Sequence, residues 1–396
     1  MSVLLDNFFI AMILLPFCCT YGQKPVCCNE YMFNDSISRA KIIEADRILS
    51  QHLANNVANS RSEITIPVVV HIVWQKQEEN LSDAIILSQI AASSRDYNAE
   101  NIDIEETPDE FKPFLGKTGI HFCLAAIDPQ GNASTGIVRV HTNKANIGLS
   151  EDVFFNSNGG SDAWDTQKYL NIWVASTGNE ISGLGTYPNQ SLPEKTGVII
   201  HPKYFGVNGH SKYGLGRTLT HEIGHYLGLK HLWADDTDCA TDDEVEDTPV
   251  QQNAHLGCPS YPQVGCSPSE MSCNFMDYVN DRCMVMFTKG QADRMQATLN
   301  TYRSGLLASS PSCITPHEIE NNKLTIYPNP SNGIYNCIYF SAPMKIIEYK
   351  LYDCTGRCVV QEEKLVNTAF NIDLHSFSVG IYFMVIEGKT YKLVKM

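Results

Sequence analysis

Five residues in one short stretch can do chemistry together: His221-Glu222-Ile-Gly-His225-Tyr-Leu-Gly228-Leu-Lys-His231. Positions four apart share a helix face, so His221 and His225 can aim two imidazoles at one ion. Glu222 sits about 100° further round the helix, near the ion's open side. Gly228 can adopt positive φ and stop the helix. The chain can then turn and bring in His231 as a third ligand. Three neutral imidazoles and one water make an open, catalytic zinc geometry. Zinc lowers the pKa of bound water toward about 7 and polarises a peptide carbonyl. Glu222 would take the water's proton and pass it to the leaving amine. The expected chemistry is peptide hydrolysis.

Charge points to a second cation. The 44 acidic and 29 basic residues leave −15, and a pI near 5.2 excludes nucleic acid as a partner, because phosphate binding needs a basic surface. Residues 231–281 hold 11 acids and no Lys or Arg, so most of the excess sits there. Eight carboxylates fall within Asp235 to Asp247. Like charges this dense repel, so a cation is expected, and irregularly spaced oxygen ligands suit calcium.

The elements that position these groups read as an α/β (α+β) domain with a mixed, twisted sheet. ITIPVVVHIVW (64–74) is a buried strand, and residues 120–127, 136–142, 169–175 and 197–202 read as further strands. Residues 82–96 and 287–303 read as helices. RTLTHEIGHYLGL (217–229) has Leu219, Ile223, Tyr226 and Leu227 at helical spacing and reads as the active-site helix up to its stop at Gly228. Residues 305–322 form a Ser/Pro linker. Residues 323–396 form a small all-β domain of alternating strands and turns.

The N-terminus reads as processed in two steps. FFIAMILLPF (8–17) is too short to span a bilayer and marks a signal peptide, 1–22, cut near Gly22. No later segment is a transmembrane helix. Residues 23–62 carry a helical pattern but cannot form a core of their own; they read as a propeptide before the catalytic domain at 63–304. Cleavage near Arg61 would release them. A thiolate from Cys28 or Cys27 can displace the catalytic water and cap the zinc in the zymogen; a disulfide or an incidental pair is the alternative. Twelve of the 14 cysteines follow the signal, and export makes disulfides plausible. Cys123, in an apolar strand, reads as a buried free thiol.

The extended zinc motif resembles the metzincin metallopeptidases. NFMDY (274–278) resembles their Met-turn. The resemblance implies that Met276 lies beneath the zinc as an apolar floor and that Tyr278 contacts the metal or the oxyanion. IPVVVHIVW, FCLAAIDPQGNASTGI, GGSDAWDTQKYLNIWVA, GRTLTHEIGHYLGLKHLW, DTP and FTKGQADRM narrow the resemblance to the pappalysin family over about 64–303. That family cleaves internal peptide bonds with zinc and usually carries structural calcium. Its pattern C-x3-D-x-V-x-D-T-P is matched by Cys239, Asp243, Val245, Asp247 and Thr248, implying Asp243, Asp247 and Thr248 as calcium ligands. It also implies disulfides Cys239–Cys266 and Cys258–Cys283, although four cysteines alone allow three pairings. Cys273 is left over, as a buried thiol or a sign of another pairing.

IYPNPSNG, KLYDCTGRCV, NIDLHSFSVGIYFMVI and the final KLVKM resemble the type IX secretion sorting domain. This implies an immunoglobulin-like sandwich, a Bacteroidetes-type source, contact with the type IX machinery, and a secreted or cell-surface location. The reading is therefore a zinc-dependent endopeptidase, made as a latent zymogen, monomeric, and acting on proteins or peptides. The alternative is a surface-binding or adhesion protein with a vestigial metal site. Intact Glu222 and three intact histidines favour the enzyme.

Overall fold

The sheet is built around one strand that is apolar on both faces. In the computed structural model, residues 36–55, 63–178, 181–235, 238–308, 313–314, 324–327, 329–339, 345–366 and 369–396 are described. Helix α1 (Ser36–Asn55) precedes strand β1 (Ile64–Trp74), followed by α2 (Asp83–Tyr97), β2 (Ile120–Ala125) and β3 (Ile137–His141). Next come β4 (Leu170–Ala175), β5 (Gly183–Gly185), β6 (Val198–Ile200), α3 (Arg217–Tyr226), α4 (Lys289–Tyr302), α5 (Ser304–Ala308) and β7 (Cys313–Ile314). The sheet order is β5-β6-β4-β1-β2-β7, with β3 beside the second half of β1. The pairs β1–β2, β1–β3, β1–β4 and β4–β6 are parallel; the outer strands β5 and β7 run antiparallel to their neighbours.

Alternation along β1 sorts its side chains. Ile66, Val68, Val70 and Ile72 face Ile85, Ile86 and Ile90 of α2 and Leu219 and Ile223 of α3. Val69 and Val73 face the other side, where 3₁₀ turns and loops close the core around Trp173 and Tyr169. Polar contacts lock α2 to α3. Arg217 grips Asp103 through two hydrogen bonds of 2.5 and 2.6 Å. Thr220 donates to Asp96 (2.8 Å), and Tyr97 donates to the Thr220 carbonyl (3.1 Å). The active-site helix is thus held in position by the layer beneath it.

Two readings change here. Cys123 is not a free thiol: it forms a disulfide with Cys313, with Cα atoms 5.5 Å apart. Its partner lies 190 residues away, in a stretch read as linker, where no local pattern signals pairing. Cys313–Ile314 is itself β7, hydrogen-bonded to Leu124 and Ala125 of β2. Part of the 305–322 stretch therefore closes the edge of the catalytic sheet.

After this, β8 (Leu324–Tyr327), β9 (Ile334–Tyr339), β10 (Lys345–Asp353), β11 (Cys358–Val366), β12 (Ala369–Asp373), β13 (Gly380–Ile386) and β14 (Lys389–Lys395) form a separate unit. Four strands in order β11-β10-β13-β14 and three in order β12-β9-β8 are all antiparallel. They share one core that includes Tyr335, Leu351, Ile372, Met384 and Leu393. Among the described residues, no helix is long and apolar enough to cross a membrane. The segment read as a signal peptide, together with Cys27 and Cys28, lies outside the described residues.

Candidate metal centre

Helix α3 ends where its sequence requires. Leu229 donates to the Gly224 carbonyl and Gly228 to the His225 carbonyl, both at 2.9 Å. Gly228 has φ +86°. This is a Schellman turn. A Cβ at Gly228 would lie 2.5 Å from Thr298 Oγ1, so neither the backbone nor the space admits a side chain. The turn sends His231 back toward α3.

The Nε2 atoms of His221, His225 and His231 lie 3.0, 3.1 and 3.3 Å apart. The three rings are at most 5 % exposed. The opposite nitrogen of each ring meets an oxygen. His221 Nδ1 is 2.8 Å from the Phe275 carbonyl, His225 Nδ1 is 2.8 Å from the Leu229 carbonyl, and His231 Nδ1 is 2.5 Å from Asp235 Oδ1. Those acceptors hold the hydrogen on Nδ1 and leave Nε2 bare. Burial pushes the His225 imidazolium down to about 3, so the ring is neutral. Three bare lone pairs facing one another repel unless a cation lies among them. Tetrahedral zinc with bonds of about 2.0–2.1 Å would set its nitrogens about 3.3 Å apart, and the observed triangle fits that. Among the described residues, these three histidines form the cluster able to hold a metal ion.

Glu222 is fully buried beside this triangle. Strand β5 crosses directly over it. A Cβ on Gly183 would lie 2.7 Å from Glu222 Cγ, and one on Gly185 would lie 2.1 Å from the Glu222 carbonyl oxygen. Only glycine permits this approach. Beneath the helix, a Cβ on Gly224 would lie 2.5 Å from Met276 Sδ. Met276 therefore underlies the turn that carries His225. Its N–H donates to Asn274 Oδ1 (2.9 Å), and Asn274 donates to Gln291 (2.8 Å), which anchors the Met276 loop to α4.

The Tyr278 ring packs 4.9 Å from both His231 and Trp233, between centroids. Trp233 in turn stacks on His231 at 4.4 Å. Between Met276 and Tyr278, Asp277 is fully buried. It accepts from the Tyr278 N–H (2.7 Å) and the His255 N–H (2.8 Å), and its other oxygen lies 2.7 Å from His255 Nδ1. His255 Nε2 is 3.2 Å from Glu270. Burial pulls the His255 pKa down, but the two carboxylates outweigh it and hold it above its ordinary value.

The acidic loop lies behind the centre. Disulfides join Cys239 to Cys266 and Cys258 to Cys283, with Cα separations of 5.5 and 5.6 Å. Cys273 carries a buried thiol, which burial pushes up to about 12. Asp243 and Thr248 come together: Thr248 Oγ1 donates to Asp243 Oδ1 at 2.6 Å. Asp247 Oδ2 accepts from the Gly290 N–H at 2.9 Å, at the start of α4. Asp243 Oδ2 and Asp247 Oδ1 are buried without a hydrogen-bond partner. Burial pushes the Asp243 carboxyl up to about 7.

Sequence reasoning missed Asp235, Asp277, His255, Gly183 and Gly185. Asp235 carried a signal, standing four residues after His231 in a chain already read as a metal loop. The other four contribute across the fold and had none.

Comparison with known proteins agrees with this geometry. The family model for peptidase M43, described as pregnancy-associated plasma protein-A, matches residues 154–300. The model described as secretion system C-terminal sorting domain matches 325–396. An extracellular metalloprotease of Arthroderma benhamiae is 26% identical over 269 residues, covering 66% of this chain and 86% of that protein. One from Pyricularia oryzae is 29% identical over 282 residues, covering 67% and 87%. Tannerella forsythia mature mirolysin, solved with a cleaved peptide, is 41% identical, with TM-score 0.61, and covers 63% of this chain and 97% of that one. A promirolysin mutant from the same organism is 37% identical, with TM-score 0.66, and covers 71% and 96%.

Proposed function

Since the chain belongs to the pappalysin family of metallopeptidases, we propose a mechanism in which its own residues cleave internal peptide bonds of proteins and peptides. It is an extracellular zinc metalloprotease with a type IX sorting domain. The observation that carries the mechanism is the triangle of bare Nε2 atoms beside a buried Glu222. His221, His225 and His231 would hold the ion. Zinc, when bound, supplies Lewis acidity and an acidified water.

The rest falls to the chain. Glu222 takes a proton from the attacking water and gives it to the leaving amine. Tyr278 donates a hydrogen bond to the oxyanion. Strand β5 ends the sheet, so an extended substrate can add to its free edge by main-chain hydrogen bonds, with its scissile carbonyl carried past Glu222. The 26–29% identical relatives are extracellular metalloproteases, and a mirolysin structure contains a cleaved peptide.

The zymogen belongs to the same proposal. Matching promirolysin rather than the mature enzyme raises the share of this chain covered from 63% to 71%. That supports residues 23–62 as a propeptide; Cys27 or Cys28 as the zinc cap rests on thiolate chemistry alone. Calcium on Asp243, Asp247 and Thr248 is supported by the two buried carboxylate oxygens that lack partners. Oxygens of that kind are what a hard cation takes.

A peptide-library digest with the processed protein tests the mechanism. Glu222→Ala should leave zinc bound and lower cleavage by at least about 10²–10⁴-fold. Chelator should abolish cleavage, and zinc should restore it. Chelator-resistant cleavage, or an active alanine variant, would overturn the mechanism. A calcium-selective chelator should lower the thermal midpoint with zinc retained; an unchanged midpoint removes calcium from the proposal.

A further inference from the structure

Behind the metal centre lies a second cluster that the reaction does not use. Arg294 of α4 is fully buried. Its Nε donates to the Gly228 carbonyl at 2.7 Å, on the turn between His225 and His231. Tyr187 Oη lies 2.8 Å from the same carbonyl and 3.0 Å from Arg294 Nη2. The acid that completes this cluster comes from the N-terminal segment. Asp46 of α1 is 5 % exposed. It binds Arg294 Nη2 at 2.5 Å, Lys230 Nζ at 2.7 Å and Tyr187 Oη at 2.8 Å. Ala45 and Leu49 are buried on the same face of α1, and a Cβ at Gly228 would lie 3.3 Å from Leu49. A carboxylate buried this deeply is tolerable only with such partners.

A second carboxylate already touches both cations. Glu244, in the acidic loop, lies 2.8 Å from Lys230 Nζ and 3.5 Å from Arg294 Nη1. Arg294 Nη1 is buried and has no hydrogen-bond partner. Glu244 is 39 % exposed on its side chain and has φ +61°, a conformation that non-glycine residues rarely keep. A shift of well under 1 Å would bring its carboxylate within hydrogen-bond range of Nη1.

We propose that Arg294, Lys230 and Tyr187 form a carboxylate-binding site behind the active-site helix, filled by Asp46 in the full chain and by Glu244 once the N-terminal segment is gone. This deepens the zymogen reading above and rests on it. When Asp46 leaves, buried Arg294 and half-buried Lys230 lose their main anion. Glu244 is the acid in contact with both, so it moves inward and draws the 243–248 loop with it. Tyr187 has a single hydroxyl hydrogen; freed from Asp46, it can give that hydrogen to the Gly228 carbonyl and tighten the turn that delivers His231. Maturation would thus settle the acidic loop and the metal turn in one step.

The test uses the full chain carrying Glu222→Ala, which cannot process itself, at saturating calcium. Asp46→Asn, Glu244→Gln and the double variant are compared by thermal midpoint. Two acids sharing one pair of cations should compensate each other. Either single change should therefore lower the midpoint by a few degrees, and the double by clearly more than the sum. Strict additivity would overturn the shared site. Should Asp46→Asn fail to accumulate, hydrogen exchange on the full chain carrying only Glu222→Ala and on the processed enzyme decides. Slower exchange across 243–248 after processing is expected; unchanged or faster exchange would overturn the handover. N-terminal sequencing of the secreted protein reports separately on the zymogen reading, because a retained segment defeats that reading while leaving the coupling measurement intact.

Discussion

Asp235 shows what a single side chain contributes to this centre. The Nδ1 atoms of His221 and His225 meet backbone carbonyls, which no substitution at the acceptor removes. The His231 Nδ1 atom instead meets a side chain, 2.5 Å from Asp235 Oδ1. Partners of this kind typically alter metal affinity by about 10–100-fold. Asp235→Ala should weaken zinc binding by about that factor in a chelator competition, with the ring still stacked on Trp233. Unchanged zinc affinity would show that the stack suffices. The zinc ligands were legible because one helix and one glycine-terminated turn place them, so their geometry is encoded in short spacings. Asp277 and His255 were illegible for the opposite reason. They act on Tyr278 through contacts between residues 22 apart, and neither residue type marks such a role in advance.

At the scale of elements, apolar strands were easily read, even the three-residue β6 within 197–202, whereas the glycine-rich β5 and the two-residue β7 were not. Residues 64–74 read as a strand, and β1 occupies those positions. The three residues of β5 include two glycines, a residue depleted in strands, so propensity argued against it. Its glycines exist for proximity instead. A Cβ at Gly185 would meet the Glu222 carbonyl at 2.1 Å and His225 Cβ at 3.1 Å. Gly185→Ala must therefore push β5 off α3. Overpacking of this kind costs about 1–3 kcal/mol, which in a domain of this size lowers the thermal midpoint by roughly 3–10 °C. The strand proposed to hold substrate would move with it. A displacement near 1 Å can cost about 10²-fold in rate, so kcat/KM should fall by about 10- to 100-fold while zinc stays bound. Normal kinetics in a destabilised variant would remove β5 from the substrate site. The short β7 was lost within a Ser/Pro-rich stretch, and the Cys123–Cys313 disulfide that fixes it spans 190 residues, beyond any local pattern.

At the scale of the whole molecule, the charge, the N-terminal segment and the centre form one problem. Most of the −15 lies in 231–281. Within that stretch, Glu244 is partly neutralised by Lys230 and Arg294, the same cations that hold Asp46. The N-terminal segment is therefore seated on the back of the turn that carries His231. Seating alone puts no group on the metal, because Asp46 and Leu49 meet Arg294, Lys230, Tyr187 and Gly228 rather than the three histidines. A group must also reach the metal. Cys27 and Cys28 precede Ser36 by nine and eight residues, and an extended chain of that length spans up to about 26–32 Å. Leu49 lies beside Gly228, and the 14 residues of α1 from Ser36 to Leu49 rise about 20 Å, so by chain length alone a thiolate at either position is within reach of the histidines. With Arg61→Gln to block cleavage, changing both cysteines to serine should make the uncleaved chain active toward peptides. Either single change should leave partial latency if the two can substitute for each other. An uncleaved double variant that binds zinc and stays inactive would show that steric cover by the segment, not a thiolate on the metal, keeps the enzyme silent.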